Sequence, residues 1–259
     1  MTTAPVQFEI RAPRFSSIDF LWLSFWTALL IPCLTMNVPV FLPWIMAGGG
    51  VLIARHFYSV VWRGEPDEGN LLISVAMPVF CLLSGFALAW VNRMTPVLYD
   101  RQLAQWDFGV APAIRTWALA RWWAIDPINV AYRGLPLAML LVLVVTTGLP
   151  RRRLLYAMAL AGGLAVPCYL LCPAVGPAHL TDPSAPRNCM PSMHLTWTLL
   201  LWVNASGRVK WFAGAFAAFT ALATLATGEH YLPDLVAALP WTWLITIAVN
   251  RLAPDRASQ

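Results

Sequence analysis

Runs of roughly 17 to 25 apolar residues recur along almost the whole chain, and each is long enough to cross about 30 Å of hydrocarbon as a helix. Their length and continuity predict membrane-spanning helices. The chain is 59% hydrophobic and 11% charged, against about 25% charged for a soluble domain, and no stretch is left over for a separate soluble domain. The expected fold class is all-α, a polytopic membrane helix bundle with about eight transmembrane helices.

In chain order, spans are expected over 18–34, 38–54, 71–92, 128–149, 154–172, 192–206, 211–227 and 231–250. The second is interrupted by Pro43 and by Gly48, Gly49 and Gly50. The stretch 93–127 is neither loop nor span: Trp106, Trp117, Trp122 and Trp123 stand among Arg101, Asp107, Arg115 and Arg121, a mixture suited to helices lying in the membrane interface. The first apolar run starts near Ile18 and is not followed by a small-residue cleavage site, so no cleavable signal peptide is expected.

The formal net charge of +5 comes from sixteen Arg and the single Lys210 against twelve acidic residues. In a chain this apolar, such charge marks loop orientation and anionic headgroups rather than nucleic acid. A cytoplasmic N-terminus puts Arg11, Arg14, Arg55, Arg63, the triplet Arg151–Arg153, Arg208, Lys210, Arg251 and Arg256 on the cytoplasmic side. The loop before Ser192 and the turn carrying His230 then face outward. Cys33, Cys81, Cys168, Cys172 and Cys189 have no metal-ligand spacing; Cys172 and Cys189 flank the outer loop, where an oxidising compartment permits a disulfide.

Two polar islands break the apolar pattern: Pro191-Ser192-Met193-His194 and His230-Tyr231-Leu232-Pro233-Asp234. Two of the four histidines lie here, each at the mouth of an apolar helix, and an ionisable group in that setting is a functional-site candidate. Four residues apart on one helix face, Asp234 can hold one ring nitrogen of His230 and leave the other free to attack. Pro233 fits a first helical turn, so the last helix is expected to start at or just after Tyr231. Ser192 fits an N-cap, and the free N–H groups of the turn that follows form a ready anion site. Together the islands suit phosphoryl transfer, with one imidazole as nucleophile and the other as general acid. That chemistry requires the two rings within roughly 4 to 7 Å across one cavity.

The order PSMH, a membrane crossing, then HYLPD resembles the last two motifs of the type 2 phosphatidic acid phosphatase superfamily. The phrases NCMPSMHLTW and TGEHYLPDLVAALP look most like its inositol phosphorylceramide synthase-like branch. The resemblance implies that His230 forms a phosphohistidine, Asp234 orients it, and His194 protonates the leaving group, with no metal or other cofactor. It also implies a six-helix lipid phosphatase/phosphotransferase core over 70–250, preceded by an N-terminal cytoplasmic segment and two extra helices over 1–69 and followed by a polar tail, 251–259.

Two departures from the superfamily pattern concern positive charge. The stretch YLLCPAVGPAH lacks the lysine and arginine of the first motif, and Thr224 stands where an arginine usually precedes the last histidine. The phosphate's charge must still be met. Arg187 is the first candidate, with Arg93 and Arg101 behind it; Ser192, Tyr231, Glu229, Asp100 and Asp107 are the other candidate substrate contacts. Loss of the basic motif makes headgroup transfer to an alcohol acceptor an alternative to hydrolysis. The expected setting is the plasma (inner) membrane, with the site on the extracytoplasmic side and a membrane lipid phosphate as substrate. The competing reading is a non-catalytic transporter or lipid-binding protein whose histidines line a polar pathway.

Overall fold

The computed structural model describes residues 54, 58, 87–95, 98–146, 148–182 and 185–252. The span expected at 18–34 and most of those at 38–54 and 71–92 lie outside the described residues. The chain divides into two units, Met1–Val75 and Ala76–Gln259, and the helices and site described below belong to the second.

Among the described residues the structure is helical, with no strand. Helical turns over 87–94 are followed by α1 (Asp100–Trp106), α2 (Val110–Leu119), α3 (Trp122–Arg133), α4 (Leu135–Val145), α5 (Gly148–Leu171), α6 (Met193–Asn204), α7 (Gly207–Thr227) and α8 (Leu232–Leu252). Among the described residues, three helical segments are long and apolar enough to cross a membrane: Pro150–Leu171, Gly207–Thr227 and Leu232–Leu252. Internal Pro167 in α5 and Pro240 in α8 are tolerable in such a setting, where neighbouring helices re-satisfy freed backbone groups. Residues 98–127 form short helices and turns, and Trp106, Trp122 and Trp123 on the helices and Phe108 in a turn are exposed.

The structure differs from the sequence expectation in two places. The single span expected over 128–149 is two helices, α3 and α4, meeting at Gly134. A Cβ at Gly134 would lie 2.9 Å from the Val130 carbonyl oxygen, and the following Leu135-Pro136 step is disfavoured in an uninterrupted helix. The triplet Arg151–Arg153, expected as a loop, lies in the first turns of α5, with Arg151 buried. Arginine is a good helix former and Pro150 sits early in the helix, so nothing in the local sequence delays its start.

Helix α6 is the centre of the unit, packing against α4, α5, α7 and α8. Helix α7 lies in turn against α2 and α3. The contacts use small residues. Ala111, Leu195, Leu225, Leu235 and Ala238 join α2, α6, α7 and α8, while Ala118, Ala124, Ile128, Ala223 and Ala226 join α2, α3 and α7. Small side chains let helix backbones approach closely, which matters in lipid because burying apolar surface between helices gains little there and dispersion contacts carry the association. Gly214 has the same use: a Cβ there would stand 2.9 Å from the Trp202 indole nitrogen.

Candidate functional site

The site forms where α6 and α8 begin. Ser192 caps α6, its hydroxyl accepting from Leu195 N at 3.4 Å, and so fixes His194 in the first turn. Helix α7 ends on Gly228 in the left-handed conformation (φ 78°), the usual glycine termination, which turns the chain sharply into Glu229 and His230 before α8 starts at Leu232. Ser192 N donates to the Asp234 carbonyl oxygen at 3.1 Å, tying the two islands backbone to backbone.

The His194 and His230 rings stand 6.1 Å apart between centroids at 65°. His230 Nδ1 lies 3.4 Å from Asp234 Oδ2, and both side chains are buried, at 6% and 0% exposure. That approach is close but does not complete a hydrogen bond: His230 Nδ1 and Asp234 Oδ1 both lack a partner. Asp234 Oδ2 accepts instead from Tyr231 N at 2.8 Å. Because Nδ1 faces the carboxylate, Nε2 is the nitrogen of His230 left for chemistry.

Two residues that the sequence did not mark as part of the site complete its surroundings: Tyr132, and Cys189, expected only as a candidate disulfide partner of Cys172. Tyr132 of α3 stacks on His194, with ring centroids 4.2 Å apart and an interplanar angle of 19°, and its hydroxyl is 3.4 Å from His194 Nδ1. Cys189 packs with Leu103, Ala174 and Tyr231, donates to the Glu229 carbonyl oxygen at 3.1 Å, and lies with His230 and Asp234 in one buried group. Burial, reinforced by the Asp234 and Asp100 carboxylates, pushes the Cys189 thiol up, so it stands as a neutral thiol. Cys172 and Cys189 are both free thiols.

The remaining candidates are placed as follows. Buried Asp100 accepts from Val175 N at 3.2 and 3.1 Å, from Gly176 N at 3.0 Å and from the Tyr231 hydroxyl at 3.1 Å. Buried Asp107 accepts from Ala111 N at 2.9 Å and from Leu232 N at 2.7 Å, covering the first turns of α2 and α8. Both carboxylates are thus engaged in holding the residues just after His230, Asp100 through the Tyr231 hydroxyl and Asp107 through Leu232 N. Gly176 (φ 87°) passes so close to the Glu229 carbonyl that a Cβ there would overlap it. The Glu229 side chain pairs with His179 at 3.0 Å.

Of the expected cations, Arg187 is turned toward the helical turns over 87–94, donating from Nη1 to Asn92 O at 2.9 Å and to Thr95 Oγ1 at 3.3 Å. No contact of Arg93 or Arg101 with either island is found among the described residues. Arg115, which the sequence reading did not single out, donates to Thr227 O at 2.7 Å and packs against Gly228, at the negative end of α7 and three residues before His230. Beside His194 lies an apolar cavity of about 380 Å³, whose lining includes Asn188, Met193, Trp197, Tyr169 and Gly163.

Comparison with known proteins adds one observation. Residues 178–248 match the family model of the PAP2 superfamily. The matched segment holds both islands and supports the wider type 2 phosphatidic acid phosphatase superfamily. No curated protein and no solved structure matches the chain.

Proposed function

We propose that this chain is a membrane-embedded lipid phosphatase or phosphotransferase that works through a phosphohistidine on His230. The observation that carries the reading is the placement of two histidine rings 6.1 Å apart at the starts of two helices, with a buried carboxylate 3.4 Å behind one of them. The PAP2 superfamily match over 178–248 and the three membrane-length apolar helices support the same class.

In the proposed first step, His230 Nε2 attacks phosphorus and the bond to the leaving oxygen breaks. Positive charge develops on the imidazole, and Asp234 stabilises it from the Nδ1 side. His194 gives a proton to the leaving oxygen as general acid, with Tyr132 stacked on its ring to hold its orientation. In the second step water, or an alcohol acceptor, attacks phosphorus; the His194 imidazole takes its proton and the N–P bond breaks. Water makes the reaction a hydrolysis. An alcohol makes it a headgroup transfer.

The apolar cavity beside His194 suits a lipid chain, which orients the phosphate toward the rings without a charged contact. Arg115 contributes positive charge next to the turn that leads into His230, at a place different from those of the superfamily's usual cations. The inositol phosphorylceramide synthase-like branch is our preferred relative because the usual basic first motif is missing from YLLCPAVGPAH. We place the site on the extracytoplasmic face of the plasma (inner) membrane on the distribution of arginine.

The test is turnover of several labelled lipid phosphates by purified protein, with and without alcohol acceptors, alongside His230→Ala. The proposal expects phosphate release or a transferred headgroup that disappears in the variant. Equal turnover by the variant would remove His230 as nucleophile.

A further inference from the structure

Cys189, His230 and Asp234 each direct a potential metal-binding atom into one buried spot, with all these atoms within 4.8 Å of one another. Two of these three residues carry unmet bonding capacity, since His230 Nδ1 and Asp234 Oδ1 are buried without hydrogen-bond partners. The Nδ1 to Oδ2 separation of 3.4 Å is long for a charge-assisted hydrogen bond, which favours about 2.7–2.9 Å. It matches instead the edge of a tetrahedron around zinc, roughly 3.3 Å for bond lengths near 2.0–2.1 Å.

The geometry points to a regulatory site at which a soft divalent ion, Zn2+ or Cd2+, binds Cys189 Sγ, His230 Nδ1 and an Asp234 carboxylate oxygen and switches the enzyme off. Thiolate, imidazole and carboxylate on one centre form a typical borderline-soft donor set, with a fourth position open to water. On binding, Cys189 loses its proton to solvent. The His230 proton moves from Nδ1 to Nε2, because a neutral imidazole that ligates through one nitrogen carries its hydrogen on the other. That tautomer removes the Nε2 lone pair with which His230 attacks phosphorus, and the metal takes the carboxylate that would stabilise the phosphohistidine. Inhibition follows from both effects.

The inference rests on the proposed role of His230, so its test reads binding separately from activity. Purified protein is titrated with Cd2+ while the thiolate-to-cadmium charge-transfer band is followed in the ultraviolet. The parent protein is expected to gain the band at one equivalent. Cys189→Ala should lack that increment, and Cys189→Ser, which keeps nearly the same volume, serves if the alanine variant does not fold. In the activity arm Zn2+ inhibits the parent enzyme and EDTA reverses it. The Cys189 variants keep basal turnover and need about tenfold more Zn2+ or higher for the same inhibition. A band unchanged by loss of Cys189, equal Zn2+ sensitivity, or loss of activity on EDTA treatment would each overturn the inference. Absence of activity in the presence of the band would count against the phosphohistidine mechanism, and with it the inhibitory role, while leaving the metal site standing.

Discussion

Replacing Asp234 by Asn isolates the electrostatic part of the site. The side chains are nearly isosteric, and the amide oxygen can still accept the Tyr231 N–H that Asp234 Oδ2 takes at 2.8 Å, so the start of α8 is kept. What disappears is a negative charge 3.4 Å from His230 Nδ1, with both side chains buried. At an effective dielectric of about 20 that charge is worth about 5 kcal/mol to a fully positive imidazole. Charge is only partly developed in the transition state, which scales the loss to about 3–5 kcal/mol, or roughly 150- to 5,000-fold in kcat. The assay is steady-state turnover of a lipid phosphate in mixed micelles, with far-ultraviolet circular dichroism to verify the helices. KM should change little, because Asp234 acts on charge that appears after binding. A folded Asp234→Asn variant that loses less than about tenfold in kcat would refute the electrostatic role.

Two further outcomes follow from the same geometry. His194→Gln should lose about 10²–10⁴ in kcat on an alkyl phosphate ester, whose leaving oxygen needs a proton, and much less on an aryl phosphate, whose leaving group does not; equal losses on both substrates would remove His194 as general acid. Asp100→Ala strands the Val175 and Gly176 N–H groups and the Tyr231 hydroxyl, each previously bonded to one buried carboxylate. It should therefore destabilise the fold by about 3 kcal/mol or more, read as a lower thermal midpoint in detergent, whereas a direct role in substrate contact would raise KM with the midpoint unchanged.

The juxtaposition of His194, His230 and Asp234 was legible because polar residues at the mouths of apolar helices have few packing explanations, and the i,i+4 spacing of the last two already implied a shared face. The Ser192 cap and the start of α8 were legible for a similar reason: Ser before an apolar run and Pro in a first turn are local signals. The break at Gly134 was hidden, since the apolar run continues through it and only the carbonyl of Val130 makes a longer side chain costly there. Tyr132 and Cys189 were equally hidden. Their contacts with the histidine pair are made across 62 residues in one case and 41 in the other, and a tyrosine in an expected apolar span or a cysteine in a Pro-bearing loop carries no local mark of a site contact. Asp100 and Asp107 were visible as polar residues, but the use made of them, anchoring the 175–176 backbone and the start of α8, depends on which N–H groups the fold brings to them.

The central claim is a covalent phosphorus–nitrogen bond on His230. Rapid quench of the protein with a lipid substrate labelled with 32P, followed by separation under alkaline conditions that preserve phosphohistidine, tests it directly. The account predicts label on the protein that is acid-labile and base-stable, maps to the peptide containing His230, and is absent from His230→Ala. Turnover without such labelled protein, or labelling that persists in His230→Ala, would contradict it.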